Sequence, residues 1–156
     1  MRRKIASAAV GLLIVISGAS SGARSMTSQN SVHGYFSLTG RVPAAFRNID
    51  HLNLLIPAYV DSATPNAPDH GRIRLKGRYR TDYVLLEPTL SGNHLSFKTK
   101  AVRGVRYEFG GTLTRTNFDE PQPGADEVVL RGTLVKIKAG RTVARAVVAF
   151  TWELGD

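Results

Sequence analysis

The stretch Val128-Val129-Leu130-Arg131-Gly132-Thr133-Leu134 places an apolar residue at every second position, with a glycine on the same parity. Three other stretches repeat it at alternate positions: Phe36-Leu38-Gly40-Val42, Ile73-Leu75-Gly77-Tyr79 and Tyr107-Phe109-Gly111-Leu113. Period-two alternation marks a half-buried β-strand, because successive side chains point to opposite faces. Glycine weakens a strand. It is expected on the inward face where the strand bends sharply or where a neighbouring ring lies across bare backbone. Four such strands predict a curved sheet that closes on itself.

Parity tests the pattern. In the final hairpin, Leu130 and Leu134 face inward only if their partners do as well. A two-residue turn at Ala139-Gly140 sets Leu134 against Arg145, a charge on the core face. A three-residue loop, Ala139-Gly140-Arg141, instead predicts the pairs Leu134–Ala146, Gly132–Val148, Leu130–Phe150 and Val128–Trp152. Treated the same way, a loop at Val102-Arg103-Gly104 predicts Thr99–Tyr107, Phe97–Phe109 and Leu95–Gly111.

Working outward, strands are expected over His33–Val42, His51–Tyr59, Arg72–Tyr79, His94–Ala101, Val105–Thr114, Glu127–Lys138 and Thr142–Leu154. Asp82–Leu86 continues the Arg72 strand after a bend near Thr81, and Ala44–Asp50 has room for one helical turn. Asp61–Gly71 and Asn117–Asp126 are rich in Pro, Asn, Asp and Gly and read as loops. The predicted fold is an all-β domain, a small antiparallel β-barrel of seven or eight strands, with a β-sandwich as the alternative. A membrane-spanning barrel is disfavoured, because the outward parity carries Arg74, Lys76, Arg78, Glu108 and Arg131 where lipid requires apolar residues.

The N-terminus reads differently. Arg2, Arg3 and Lys4 precede the apolar run Ile5–Ile16, and small residues follow to Ser21-Gly22-Ala23. This is a signal-peptide pattern, with cleavage expected after Ala23 and a retained anchor as the alternative. The expected organisation is therefore a signal peptide at 1–23, a flexible leader at 24–31 and one β domain at 32–156. The mature chain would be secreted or periplasmic. It would need no disulfides, since the sequence contains no cysteine.

The full chain carries a formal charge of +9. Cleavage after Ala23 leaves 18 Lys and Arg against 12 acids, a charge of +6. A basic surface favours anionic partners. The sharpest candidate patch is the ladder Arg72, Arg74, Lys76, Arg78 and Arg80. Alternate residues on a strand lie about 6.6 Å apart, a spacing that suits regularly placed phosphates, sulfates or uronates. Nucleic acid is a poorer match, since no stacking aromatics interleave with these cations.

Catalytic motifs are lacking. There is no Gly-x-Ser-x-Gly elbow, and His33, His51, His70 and His94 show no short metal-ligand spacing. Asp69-His70, with Asp61 nearby, is the nearest approach to a loop metal or acid–base pair. No cofactor and no metal are implied, and an enzyme is not the favoured reading. The expected interior aromatics Tyr79, Tyr83, Phe97, Tyr107, Phe109, Phe150 and Trp152 are the candidate ligand-binding residues, since an eight-stranded barrel either fills with side chains or holds one small molecule. The strand pattern is similar to that of small secreted barrels of the lipocalin kind. Their Gly-x-Trp signature is not present, Gly34-Tyr35-Phe36 standing near the first strand, and no family is assigned. The chain thus reads as a secreted or envelope-associated, non-enzymatic barrel that binds a small apolar or amphipathic ligand. The alternatives are a module holding anionic polymer or lipid head groups through its basic strand, and a small barrel lyase or hydrolase using Tyr83, Glu108, His94 or Asp82. The oligomeric state is left open.

Overall fold

Alternation becomes eight strands: β1 (Val32–Thr39), β2 (Ile49–Tyr59), β3 (Asp69–Leu75), β4 (Asp82–Ser91), β5 (His94–Thr99), β6 (Val105–Leu113), β7 (Leu130–Lys138) and β8 (Arg141–Glu153). The computed structural model describes residues 31–59, 63, 68–77, 81–118 and 122–153. The expected signal peptide and nearly all of the expected leader lie outside that range. Each strand pairs antiparallel with the next, and β8 pairs with β1, so the sheet is a closed barrel rather than a sandwich. The helical turn is a single 3-10 turn, Ala44–Phe46.

Two expectations are corrected in detail. Asp82–Leu86 does not prolong the strand before it. The chain reverses, Ile73 pairs with Tyr83 and Arg74 with Asp82, and β4 runs on through Pro88 to Ser91. The last hairpin keeps the expected pairs Leu134–Ala146, Gly132–Val148 and Leu130–Phe150 but closes differently. Ala139 and Gly140 form a two-residue turn with φ of 49° and 77°, the left-handed pair that matches strand twist. Parity is restored by an extra residue, Val143, between the Ile137–Thr142 and Lys136–Ala144 pairs. A bulge thus does what a longer loop was expected to do. The β5–β6 hairpin keeps Phe97–Phe109 and Leu95–Gly111.

The four glycines divide by role. Gly111 and Gly132 face each other across β6 and β7. A Cβ on either would lie 2.5 or 2.6 Å from Cζ of Phe109, whose ring covers this bare backbone. Gly40 and Gly77 instead follow the ends of β1 and β3, with positive φ and open space around them. Their strands finish earlier than the alternation suggests, so these two serve turns. The close approaches elsewhere are at Gly34, under the Trp152 indole, and Gly71, against the Asn53 carbonyl.

The interior is packed with rings. Phe36, Phe109, Phe150 and Trp152 are buried along its length. Phe118, from the β6–β7 loop, lies 5.6 Å from Phe36 and 5.7 Å from Trp152 between ring centroids and plugs one end. Phe46, fully buried between β1 and β2, plugs the other. Each fully buried phenylalanine contributes about 1.5–3 kcal/mol by leaving water.

Candidate functional site

The expected ligand-binding aromatics all face this interior, apart from Tyr79, which lies outside the described residues. Phe97 stacks on Phe109 at 5.2 Å, and Phe109 meets Phe150 edge-on at 6.0 Å. The Trp152 indole N–H donates to the His33 carbonyl at 2.8 Å. Tyr83 and Tyr107 form a T-shaped pair at 4.9 Å. The Tyr107 hydroxyl has no hydrogen-bond partner among the described residues. Burial pushes its pKa up to about 12, and the neighbouring Tyr83 adds to this. Lys136 stands 6.0 Å above the Tyr107 ring, on the inward parity near the strand end.

A buried, unpartnered hydroxyl costs desolvation free energy without return. Tyr107→Phe is therefore expected to keep or raise stability at pH 7, read by urea unfolding. The same variant separates the alkaline titration. A phenol whose folded pKa is raised loses its contribution to stability as pH climbs from the unfolded value near 10 toward 12. Tyr107→Phe should flatten that decline.

The basic ladder is only partly free. On the outer wall, the Arg74 guanidinium makes two 2.8 Å hydrogen bonds to the Asp82 carboxylate. Arg72 pairs with Asp69 and, at 3.4 Å, with Asp82. The hydrogen bond from Arg74 is the main reason Asp82 titrates below the usual carboxylate range. Lys76 is exposed just after β3, whereas Arg78 and Arg80 lie outside the described residues. The paired arginines line a groove of about 250 Å³ with Tyr35, His51, Asn53 and Leu55. Here the Tyr35 and His51 rings meet edge-on at 4.8 Å. Burial lowers the His51 pKa, against the opposing pull of Asp50 at 3.3 Å. The groove offers neutralised donors and acceptors rather than a row of bare charges. Its signal was present in the sequence, because Tyr35, His51 and Asn53 share the outward parity of the arginines once register is known.

Other exposed cations gather elsewhere. Because the strands alternate in direction, four connections meet at one end of the barrel: β1–β2, β3–β4, β5–β6 and β7–β8. Exposed there are Arg41 and Arg47, then Lys76, then Lys100 and Arg103, then Lys138 and Arg141. Among the described residues the acids nearest this end are Asp50, beside His51, and Asp82, held by the arginines. The opposite end carries Asp69, Asp126, Glu127 and Glu153.

Catalytic candidates do not converge. Tyr83 points inward and Asp82 outward. Glu108 pairs with Arg106 at 2.9 Å on the outer wall, and His94 is exposed at the far end. Asp69 accepts from the Gly71 N–H at 2.8 Å and from Arg72, while Asp61 lies outside the described residues. Among the described residues no three His, Asp or Glu side chains gather as they would around a metal ion, and no helix is long and apolar enough to cross a membrane. Compared with known proteins, the chain matches no family model, and neither a curated protein nor a solved structure is significantly similar to it.

Proposed function

We propose that this protein is a non-catalytic, exported or envelope-associated barrel that holds anionic groups at its cationic end. The ligand chemistry is phosphate, sulfate or carboxylate presented repeatedly, on a polymer or on a lipid surface. The observation that carries this reading is the convergence of Arg41, Arg47, Lys76, Lys100, Arg103, Lys138 and Arg141 at one end, all exposed. An exposed cation near an anionic surface is worth about 1 kcal/mol. Reversing Lys100, Arg103, Lys138 and Arg141 to Glu is therefore expected to weaken binding by more than about 100-fold. Heparin retention reads the polymer case, and flotation with phosphatidylglycerol vesicles reads the lipid case. Both should fall steeply with salt. Retention unchanged by the four reversals overturns the proposal, as does an equal loss on reversing Asp126 and Glu127 to Lys.

A second reading, a small amphipathic ligand in the barrel interior, is favoured by the unpartnered Tyr107 hydroxyl. Native mass spectrometry of the purified protein tests it: an adduct supports the reading, and a bare chain mass removes it.

A further inference from the structure

Among the described residues, the barrel leaves part of β8 unpaired along one edge. β7 pairs with β8 from Arg141 to Phe150, but β1 pairs with β8 only where Tyr35–Thr39 meet Ala149–Glu153. Beyond Thr39 the chain turns away at Gly40, φ +70°, into the 3-10 turn. Among the described residues, β8 from Arg141 to Val148 therefore has a strand neighbour on one side only.

The backbone polarity of this edge follows from its ladder. The Phe150 carbonyl accepts from the Val129 N–H on the β7 side at 2.9 Å. In an antiparallel pair the N–H and C=O of one residue point the same way, and alternate residues share a side. The register is unbroken from Phe150 to Ala144, so Val148 and Ala146 also bond toward β7. Arg145 and Val147 direct their N–H and C=O groups to the open side.

The side chains along this edge are apolar and basic. Val147 is 70% exposed and Val143 is 54% exposed. A groove of about 260 Å³, lined by Leu38, Val42, Arg131, Val147 and Val148 among others, runs beside it. Soluble proteins blunt long open edges, because unpaired backbone recruits another strand. Arg141 and Arg145 serve as such guards against a second copy of this chain, which would bring the same arginines against them. They do not repel an acidic strand. A lipid or polymer anion satisfies the arginines but offers no backbone N–H and C=O groups to continue the ladder.

We infer that the open edge of β8, Arg141–Val148, accepts an extended acidic peptide segment as an added strand. Main-chain hydrogen bonds to Arg145 and Val147 supply the ladder, and side chains on alternate positions supply specificity. An acid stands opposite Arg145, and an apolar residue stands opposite Val147.

The test uses the full chain and a fluorescent peptide, Thr-Val-Thr-Glu-Thr-Val-Glu, with a Lys-for-Glu version as control. The acidic peptide is expected to bind at least about tenfold more tightly than the basic one. Val147→Pro removes an edge-facing N–H, leaves every charge in place and is expected to weaken acidic-peptide binding by about tenfold or more. Hydrogen exchange on the unmutated protein gives an independent reading, with slowed exchange at Arg145 and Val147 on peptide addition and little change at Ala146. Equal binding of the two peptides, or no added protection at Arg145 and Val147, overturns the inference. A concentration-dependent dimer lost in Val147→Pro also overturns it, assigning the edge to a second copy. The anion-binding proposal is separable, because Val147→Pro should leave heparin retention unchanged.

Discussion

Phe109→Ala is expected to lower the unfolding free energy by about 3–5 kcal/mol, toward the upper end of that range for a large-to-small core substitution. Phe109 is 4% exposed, stacked on Phe97 and edge-on to Phe150. Its Cζ also lies over Gly111 and Gly132. A cavity is least costly where neighbours can collapse into it. Here two of the neighbours are glycines with no side chain to move, and their backbones are fixed by the β6–β7 ladder. Domains of this kind have about 5–15 kcal/mol in total, so the loss is a large share. A urea titration should show a lower midpoint at an unchanged slope. A shift below about 1 kcal/mol would mean that the ring does not cover the glycine pair.

Gly71→Ala is expected to cost about 2–6 kcal/mol, from backbone strain and overpacking of about 1–3 kcal/mol each. At φ +102° an alanine is strained whatever space surrounds it. Its Cβ would lie 2.1 Å from the Asn53 carbonyl oxygen, in the paired strand β2. Neither backbone can withdraw without breaking the β2–β3 ladder. Gly40→Ala is the matched control. It has positive φ and nothing within 4 Å, so only the left-handed strain applies, about 1–2 kcal/mol. Thermal unfolding of both variants checks the contrast, and equal losses would show that the close approach at Gly71 does not matter.

The glycines also show how far the alternation could be followed. In β6 and β7 it is continuous, and Gly111 and Gly132 could be placed beneath a ring before any coordinates. In Ile73-Leu75-Gly77-Tyr79 the apolar-and-glycine alternation is equally regular, yet β3 ends at Leu75. Periodicity marks which face a side chain would take, not whether a partner strand is present to pair with it. The close approaches at Gly34 and Gly71 were not legible, because the indole and carbonyl that crowd them come from residues distant in sequence.

The candidate sites followed the same division. Arg72, Arg74 and Lys76 could be read as a ladder from their spacing alone. That Asp69 and Asp82 neutralise the two arginines depends on the β3 start and the β3–β4 turn, and local sequence left that turn as a bend. The cationic end was still less legible: its members are scattered from Arg41 to Arg141 and gather only because consecutive antiparallel strands return every second connection to the same end.

By itself, the sequence determined the all-β class, the inward parity of the core rings and most of the pairing in the β5–β6 and β7–β8 hairpins, though not the turn that closes the latter. These rest on period-two alternation, which is local. Only the tertiary structure decided the closure between β1 and β8, the ion pairs that silence part of the ladder, the end where the cations meet and the stretch of β8 that, among the described residues, has a neighbour on one side only. Each depends on how far one strand slides past another, and that offset is set by the whole ring of eight strands rather than by any one of them.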